Sequence, residues 1–309
     1  MKIIIMAPKA TSFFTREQRY MLSKAGDVIY VDGPKPFIEV KELFSKDKKI
    51  IALDPDFCEW KIPNELLDKI PNLNAVCLQT TSFSWIDIEH MKKKGIVVTN
   101  LRGFSGEAVA EWAIMTAMNL ARKIPLVIKN DWTGDYTKHK GIEMKGKIAG
   151  IVGLGRNGSR IAEICNSLGM RVIYWSKNSR NKNFKYVELK ELMSTSDLIF
   201  PTFAQNAETE KLLTDSMLKS MKKTAIFVST IHKIYNHKLL LEMVKKGDLF
   251  GYGFEQSSSE FIEFEKFDGN IWAGPELAWA TEDSIKKNAM QWTESIISAS
   301  KGKYPTRAN

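Results

Sequence analysis

The motif GLGRNG, which begins at Gly153, has three glycines in the spacing that lets a backbone turn approach a phosphate. An apolar run, IAGIV, precedes it and an amphipathic stretch follows, so the turn joins a buried strand to a helix. Gly153 permits the tight bend, Gly155 lets a pyrophosphate come close, and Gly158 lets the helix pack on the strand. Arg156 and Asn157 open the helix, whose free N–H groups and dipole favour an anion. The motif predicts a dinucleotide-binding turn; the alternative is a purely structural glycine turn.

A second candidate feature is the segment WSKNSR, which follows the next predicted strand. In sites that prefer NAD, this strand ends in an acidic residue that accepts hydrogen bonds from the adenosine ribose hydroxyls. Ser176 stands at that position, and Lys177 and Arg180 follow it. The segment offers no carboxylate to repel a 2′-phosphate, and it offers two cations and a hydroxyl to bind one. It therefore predicts NADP(H) in preference to NAD(H); the alternative is a solvated basic loop without a ligand.

These motifs lie within two series of alternating strands and helices. In the first hundred residues, short apolar runs are separated by segments long enough for a helix, which is typical of parallel crossovers. A second series runs from Lys147 to near Trp272, and from Glu282 the chain is predicted as a helix and then a polar tail. The predicted fold class is α/β, with two Rossmann-like or flavodoxin-like domains and doubly wound parallel sheets. The strands are predicted at 2–6, 27–31, 49–53, 75–78, 96–99, 148–152, 171–175, 198–200 and 225–229.

Between the two series, EAVAEWAIMTAMNLARKI is predicted as one long, mostly apolar helix that begins after Ser105. It is too apolar for a surface element. Two interpretations stay open, a core helix inside one monomer and an interface between domains or subunits. Residues 131–141 are predicted as a polar loop that carries aromatic side chains.

Composition and charge narrow the function classes. The chain has 45 Lys and Arg against 36 Asp and Glu, and its formal net charge of +9 favours anionic partners. The basic residues are scattered, and the clusters at 92–94 and 301–303 lack the interleaved aromatic side chains of a nucleic-acid platform. No uninterrupted apolar stretch approaches 20 residues, and the N-terminal apolar run is too short for a signal peptide. We therefore expect a small-molecule substrate and neither a nucleic-acid nor a membrane partner.

The cysteines and histidines give no sign of a metal site. Cys58, Cys77 and Cys165 are odd in number and far apart, without a CxxC pair, which favours a reducing compartment. The histidines have no partner spacing typical of metal ligands. His237 begins a predicted helix and is expected to be exposed. The sequence thus predicts a cytoplasmic protein without a bound metal.

Four segments follow one another along the chain: KGIVVTNLRGFSGEAVAEWAI at 94–114, MKGKIAGIVGLGRNGSRIA at 144–162, TEKLLTDSMLKSMKKTAIFVST at 209–230 and ELAWATEDS at 276–284. Their sequences and order resemble the D-isomer-specific 2-hydroxyacid dehydrogenases, particularly the glyoxylate and hydroxypyruvate reductase branch. The resemblance spans nearly the whole chain. It implies a cofactor domain inserted into a substrate domain made from both chain ends, with the active site in the cleft and a homodimer built on the long helix. The domains are assigned as 1–100 plus 283–309 for substrate and 101–282 for the dinucleotide.

The family's three catalytic side chains have counterparts here, two of them with a changed identity. The family uses an Arg to hold the substrate carboxylate, a Glu to support the catalytic imidazole and a His to move the proton. The resemblance places His232, in VSTIHK, at the Arg position, Glu260 at the Glu position and Glu276, in GPELAWAT, at the His position. Neither His nor Lys reproduces the bidentate fork of Arg. One hypothesis is that His232 moves the proton while Glu260 or Glu276 orients it.

The resemblance also implies further contacts with the cofactor. Glu255 matches an acidic residue that contacts the nicotinamide carboxamide in the family. Thr202, Thr230 and Ile231 fall at predicted strand ends that face the cofactor crevice.

The loop QTTSFSWID, which contains the candidate substrate-binding residues Thr80, Thr81 and Ser82, resembles the family's glycine-containing substrate loop. Hydroxyl side chains stand where small flexible residues are expected. They either bind substrate or cap a turn.

Two functions from different classes follow from these observations. The first is an NADPH-dependent oxidoreductase that moves hydride between the nicotinamide and a small carbonyl or hydroxy compound, with a non-standard His and Glu set. The second is a non-catalytic dinucleotide-binding sensor or scaffold that has lost the family's Arg and His. The substitutions at His232 and Glu276 fit both.

Overall fold

The computed structural model describes residues 1–204, 208–231, 234–256 and 262–309. The chain forms two compact units, one from Met1–Ser105 and Thr281–Asn309 and the other from Gly106–Ala280. Each unit is built on a parallel sheet, so the predicted α/β fold class is confirmed. Within the described residues, no helix is long and apolar enough to cross a bilayer.

The first unit contains a five-stranded parallel sheet in the order β2-β1-β3-β4-β5. This is the flavodoxin-like order, in which β1 and β3 form the switch point. The middle strands are apolar and fully buried, because helices cover both faces of such a sheet. The strands are β1 Lys2–Ala7, β2 Asp27–Asp32, β3 Lys49–Leu53, β4 Leu73–Leu78 and β5 Val97–Thr99. The helices are α1 Ala10–Phe13, α2 Arg16–Ala25, α3 Asn64–Leu67, α4 Ile88–Lys93 and, from the end of the chain, α11 Glu282–Ser300.

Helix α11 anchors the end of the chain to this sheet. Thr281 and Ser284 form a capping box at its start, which satisfies two backbone N–H groups. Trp292 is fully buried, and its Nε1 donates to the carbonyl oxygen of Cys77 at 3.0 Å. Asn288 donates to the carbonyl oxygen of Gln79 at 3.0 Å. The helix thereby fixes the end of β4 and the loop that follows.

The second unit contains a seven-stranded parallel sheet in the order β12-β11-β10-β9-β6-β7-β8. Numbered along the chain, the six strands β6 to β11 have the Rossmann order, with the switch point between β6 and β9. The strands are β6 Ile148–Val152, β7 Arg171–Trp175, β8 Lys185–Tyr186, β9 Leu198–Pro201, β10 Ile226–Val228, β11 Gly251–Gln256 and β12 Ile271–Pro275. The helices are α5 Gly106–Ala121, α6 Ile124–Lys129, α7 Arg156–Ser167, α8 Leu189–Thr195, α9 Asp215–Lys219 and α10 His237–Lys245.

The long apolar helix predicted after Ser105 is confirmed as α5, although it ends three residues before the predicted segment does. Helix α5 ends at Ala121, Lys123 has φ 54°, and Pro125 lies in the first turn of α6. Proline is favoured in a first turn and opposes continuation of a helix, so it explains the break. Ten of the sixteen residues of α5 are buried, and the helix packs on α7 and on the sheet of its own unit. The core-helix interpretation therefore describes most of this helix.

Candidate dinucleotide site at the carboxyl edge of the second sheet

The glycine turn after β6 is held in a shape that only glycine fits at two of its positions. Gly153 has φ 97°, and an added Cβ would lie 2.9 Å from the backbone nitrogen of Phe203. At Gly158, an added Cβ would overlap the carbonyl oxygen of Gly153 and lie 2.5 Å from Thr202 Oγ1. Thr202 Oγ1 donates to the carbonyl oxygen of Gly153 at 2.5 Å. The first and third glycines therefore serve the close packing of turn, helix and neighbouring strand.

The middle glycine faces open space. An added Cβ at Gly155 would meet no described atom within 4 Å, and the residue is exposed. Gly155 is the N-cap of α7, and no side chain of the described residues caps this helix start. The first turn, with Arg156 and Asn157, holds no acidic residue that would compete with an anion. Backbone N–H groups, the helix dipole and unfilled space thus coincide, which fits the pyrophosphate of a dinucleotide.

The loop after β7 contains the residues predicted to choose between the two dinucleotides. Ser176 is buried, and its hydroxyl accepts from the backbone N–H of Ser179 at 3.2 Å. Lys177 lies 2.6 Å from Glu208, and both side chains are more than half exposed. Arg180 donates to the carbonyl oxygen of Ser176 at 2.9 Å, and its guanidinium lies 4.7 Å from the ring centre of Tyr186. Two cations therefore stand at the end of β7, each with a contact to the protein.

Beyond β9, the end of β10 presents the segment with Thr230 and Ile231, both half-buried. The Ser229 hydroxyl lies 3.4 Å from the backbone nitrogen of Ile231 and 3.3 Å from its carbonyl oxygen. The N–H of Ser229 donates to the carbonyl oxygen of Gly253 in β11 at 2.9 Å. This end of β10 is thus fixed by its own side chain and by the neighbouring strand.

Glu255 holds the turn that follows β12. Its Oε1 accepts from the backbone N–H of Ala278 at 2.6 Å. Burial raises the pKa of Glu255 and the nearby Glu276 carboxylate adds to this, while the hydrogen bonds from Ala278 and Leu277 oppose it. Glu276, Leu277 and Trp279 are exposed on the same turn. The side chain at position 276 is therefore presented at the carboxyl edge of the sheet by a turn that Glu255 fixes.

The structure brings most of the predicted cofactor residues to one edge. Because all strands of the second sheet are parallel, the segments after β6, β7, β9, β10 and β12 leave it at the same side. Two of the three predicted catalytic residues, His232 and Glu260, lie outside the described residues. The third, Glu276, lies at this edge.

The predicted substrate residues lie in the first unit, after β4. The Thr80 hydroxyl accepts from the backbone N–H of Ser82 at 3.3 Å, which is the turn-capping interpretation of this residue. Asn100 donates to the carbonyl oxygen of Thr81 at 2.7 Å. The Ser82 hydroxyl lies 3.5 Å from that of Ser84. The loop is therefore a fixed structure with exposed and half-buried hydroxyls.

A buried carboxyl group at the end of β3 was not predicted from the sequence. Asp54 follows β3, is 9% exposed, and accepts from the backbone N–H of Asp56 at 2.9 Å. Burial raises its pKa to about 6, the Asp56 carboxylate adds to this and the hydrogen bond from the Asp56 N–H opposes it. An acidic residue directly after the apolar run KIIAL was the available signal.

The expectation that His237 is exposed is wrong. Its side chain is half-buried, with Nδ1 2.7 Å from the Tyr252 hydroxyl and the ring 4.7 Å from the ring of Phe254. Apolar neighbours in β11 override the tendency of a helix start to be solvated. Among the described residues, no group of three His, Cys, Asp or Glu side chains is arranged to hold a metal ion.

Residues 114–275, more than half of the chain, match the model of a known family, the D-isomer specific 2-hydroxyacid dehydrogenase, NAD binding domain. The chain belongs to this family. It is accordingly an NAD(P)-dependent oxidoreductase of the 2-hydroxyacid dehydrogenase type, and its second unit is a nicotinamide-dinucleotide domain.

Named relatives and solved structures agree with this assignment. The glyoxylate reductase of Aeropyrum pernix is 32% identical over 308 residues, a match that covers 92% of this chain and 90% of the relative. The glyoxylate reductase of Thermofilum pendens is 29% identical over 262 residues and covers 79% and 77%. An acyclic imino acid reductase (Bsp5), solved with NADPH and D-Arg, has a TM-score of 0.83 at 25% identity and covers 100% of both chains. A glyoxylate reductase from Paecilomyes thermophila shares the fold, with a TM-score of 0.85 at 20% identity and 100% and 98% coverage.

Proposed function

We propose that this chain is an NADPH-dependent reductase of a small 2-oxo acid or related carbonyl compound. The observation that carries the proposal is the turn at Gly153, Gly155 and Gly158, which combines fixed backbone with open space above an uncapped helix start. The relatives named glyoxylate reductase support a small 2-oxo acid as the substrate. When bound, the dinucleotide supplies the hydride. The residues of the chain bind and orient the substrate and exchange the proton.

The preference for NADPH rests on the loop after β7. Ser176 leaves no carboxylate to repel a 2′-phosphate, and Lys177 and Arg180 offer two cations. The ion pair of Lys177 with Glu208 is solvent-exposed and worth little, so Lys177 is free to turn to a phosphate. Arg180 is held at the loop by its bond to the Ser176 carbonyl oxygen, which limits the entropy lost on binding. The imino acid reductase of similar fold was solved with NADPH.

The proton-transfer set is proposed from the family pattern. His232 occupies the position of the family Arg, and imidazole exchanges protons near neutral pH. Glu260 and Glu276 are proposed to orient it. Thr80, Thr81 and Ser82 are proposed to donate hydroxyl and backbone hydrogen bonds to the substrate. Hydroxyl donors would then replace the single guanidinium fork in holding a carboxylate.

Glu255 is proposed to serve the nicotinamide end of the site, where the family pattern places a contact with the carboxamide. Its bond to the Ala278 N–H supports a further task, since it sets the turn that presents Glu276. Thr202, Thr230 and Ile231 are proposed to line the cofactor crevice beside it.

An imine is a second candidate substrate class. The match to the acyclic imino acid reductase covers the whole of both chains at 25% identity, so we take its activity as a second candidate for this chain. Reduction of an imine uses the same hydride donor and needs a group that keeps the nitrogen protonated. Carboxylates at positions 260 and 276 suit a cationic iminium better than an imidazole does.

We further propose a homodimer and a cytoplasmic location. Met115 on α5 and Trp132 and Tyr136 on the loop after α6 are 43%, 70% and 87% exposed, and a second copy would cover these large apolar side chains. Sedimentation of the wild type and of Trp132→Ser tests the dimer.

The cytoplasmic location is proposed from the cysteines. All three cysteines are free thiols, which suits a reducing compartment.

Titration of the purified chain with NADPH and NADH tests the cofactor, followed by NADPH oxidation with glyoxylate, hydroxypyruvate, uncharged ketones, and 2-oxo acids mixed with an amine. Turnover of the oxo acids alone supports the first proposal, and turnover that requires the amine supports the imine. Tight NADPH binding without any turnover favours a non-catalytic binder. Tighter NADH than NADPH binding contradicts the cofactor preference.

A further inference from the structure

Four successive carbonyl oxygens in the loop after β4, those of residues 79–82, are held by hydrogen bonds within the first unit. Each accepts one hydrogen bond from the described residues. In chain order, the donors are Asn288 Nδ2 at 3.0 Å, the backbone N–H of Leu101 at 3.0 Å, Asn100 Nδ2 at 2.7 Å and Trp85 Nε1 at 3.1 Å. The loop backbone is therefore fixed through its carbonyl groups, by α11, by the end of β5 and by its own Trp85.

These bonds also decide where the N–H groups of the loop point. The peptide bonds of the loop are trans, so the C=O and N–H of each planar peptide point in opposite directions. The Gln79 carbonyl shares its peptide plane with the N–H of Thr80, and the Thr80 carbonyl shares one with the N–H of Thr81. Each N–H therefore points away from the group that holds its carbonyl partner. Within the described part of the chain, neither N–H donates to an acceptor.

The two asparagines are placed for their donor groups. Asn100 is 4% exposed, and its buried Oδ1 has no hydrogen-bond partner among the described residues, so Nδ2 is the group that it uses. A buried oxygen without a partner costs free energy, and an apolar side chain would avoid that cost. Asn288 is 1% exposed and its amide is bonded to Gln79 alone, since its Oδ1 accepts from Gln79 Nε2 at 2.7 Å. Packing alone therefore does not explain either asparagine.

Two adjacent N–H groups without an internal acceptor suit an anion. A carboxylate accepts charge-assisted hydrogen bonds, which are stronger than those between neutral groups. Residues 79–86 contain no acidic side chain that would repel it. The loop thus offers a preset pair of donors for a carboxylate.

We propose that Asn100 and Asn288 are positioning residues, which hold the loop so that the N–H groups of Thr80 and Thr81 bind the carboxylate of the substrate. The inference rests on the proposed function, in which this loop meets the substrate. Asn288 sets the peptide before Thr80, and Asn100 sets the peptide after Thr81. A backbone held in this way binds a carboxylate without a guanidinium, the group that the proposed His232 replaces.

The test uses oxalate, a small dicarboxylate, as the probe for the protein saturated with NADPH. In Asn100→Ala and Asn288→Ala, calorimetric titration should show oxalate binding about fivefold more weakly, the effect of one lost hydrogen bond. NADPH should bind as in the wild type. The KM for a 2-oxo acid that the wild type reduces should rise by a similar factor at unchanged kcat, because carboxylate binding contributes equally to the ground and transition states.

Amide hydrogen exchange gives a second readout that needs no variant. Oxalate should slow exchange at the N–H groups of Thr80 and Thr81 in the wild type, because a bound carboxylate occupies both donors. The same measurement in the two variants should show weaker protection at equal oxalate concentration.

Asn270 in the second unit provides a matched control. It is 5% exposed, its Nδ2 donates to the carbonyl oxygens of Leu120 and Phe250 at 3.0 Å, and its buried Oδ1 has no partner among the described residues. Asn270→Ala therefore removes the same kind of buried donor at a distance from the loop in sequence. It should lower Tm about as much as Asn100→Ala does and leave oxalate affinity unchanged.

The outcomes separate this inference from the proposed function. If the wild type binds NADPH and oxalate while both loop variants bind oxalate unchanged, or if Asn270→Ala weakens oxalate equally, the positioning role is overturned and the proposed function stands. Unprotected amides at Thr80 and Thr81 in the oxalate complex overturn it as well, even where a variant does not fold. If the wild type binds NADPH but neither binds oxalate nor reduces a 2-oxo acid, the proposed substrate class fails and this inference fails with it.

Discussion

Alanine at Gly155 is expected to abolish much of the cofactor affinity without unfolding the protein. The backbone there has φ −82°, and an added Cβ meets no described atom within 4 Å. Alanine is only moderately worse than glycine as an N-cap, so the free energy of unfolding should change by less than about 1 kcal/mol. The same methyl group occupies the space through which a pyrophosphate approaches the helix start. NADPH binding should therefore weaken about 10- to 100-fold.

Alanine at Gly158, in contrast, is expected to lower the stability of the fold. Its Cβ would overlap the carbonyl oxygen of Gly153, a backbone atom that cannot turn aside, and would lie 2.5 Å from Thr202 Oγ1. Overpacking against backbone should cost about 3 kcal/mol. For a domain of this size, that lowers Tm by roughly 6 to 12 °C.

Thermal and urea unfolding without ligand, combined with fluorescence titration by NADPH, separates the two effects. Gly134→Ala is the matched control, because its added Cβ also meets nothing within 4 Å and it lies outside the motif. It should change neither stability nor affinity. Wild-type NADPH affinity in Gly155→Ala would refute the placement of the pyrophosphate over this residue. A large loss of stability in the same variant would show that the space above Gly155 is not open.

Three further predictions follow from single side chains. Ser176→Asp should shift the ratio of NADPH to NADH affinity toward NADH by about tenfold or more in binding titrations, since a carboxylate repels the 2′-phosphate; an unchanged ratio would contradict the cofactor assignment. Thr202→Val removes the donor to the Gly153 carbonyl oxygen and should lower the free energy of urea unfolding by about 1 kcal/mol. Thr202→Ser keeps the hydroxyl and should largely retain the wild-type stability. Burial raises the pKa of Asp54 to about 6, so the wild type should lose up to about 3 kcal/mol of stability relative to Asp54→Asn as pH rises from about 4 to 6; parallel pH profiles would contradict this.

The cofactor half of the site could be predicted from the sequence because its requirements are local. A strand, three glycines and a helix follow one another without interruption, and each glycine answers to a backbone contact or an open space. Strand β11 was not predicted, because Gly251 and Gly253 interrupt its apolar pattern. The structure shows why they are there: a Cβ at Gly253 would overlap the Thr116 methyl group and lie 3.1 Å from Leu120, both on α5. Glycine in a strand marked a close approach of helix and sheet, which the strand pattern alone does not reveal.

Contacts between distant parts of the chain could not be predicted in this way. His237 was expected in solvent because it begins a helix, yet it contacts Tyr252 and packs against Phe254 in β11. The raised pKa of Asp54 depends on its burial in the folded unit, although its place after an apolar strand was visible in the sequence. Sequence periodicity describes each element by itself, whereas these properties depend on which elements meet.

The same contrast bears on the changed catalytic residues that we propose for this chain. Gly153 and Gly158 are enclosed by backbone and leave no room for another residue. Glu276 lies exposed on a turn whose shape comes from backbone groups and from Glu255, and its own side chain has no part in that bond. A carboxylate can therefore replace an imidazole there without disturbing the turn. The chemistry at such a position changes at little cost in stability, so the glycine turn identifies the cofactor while the substrate has to be found by assay.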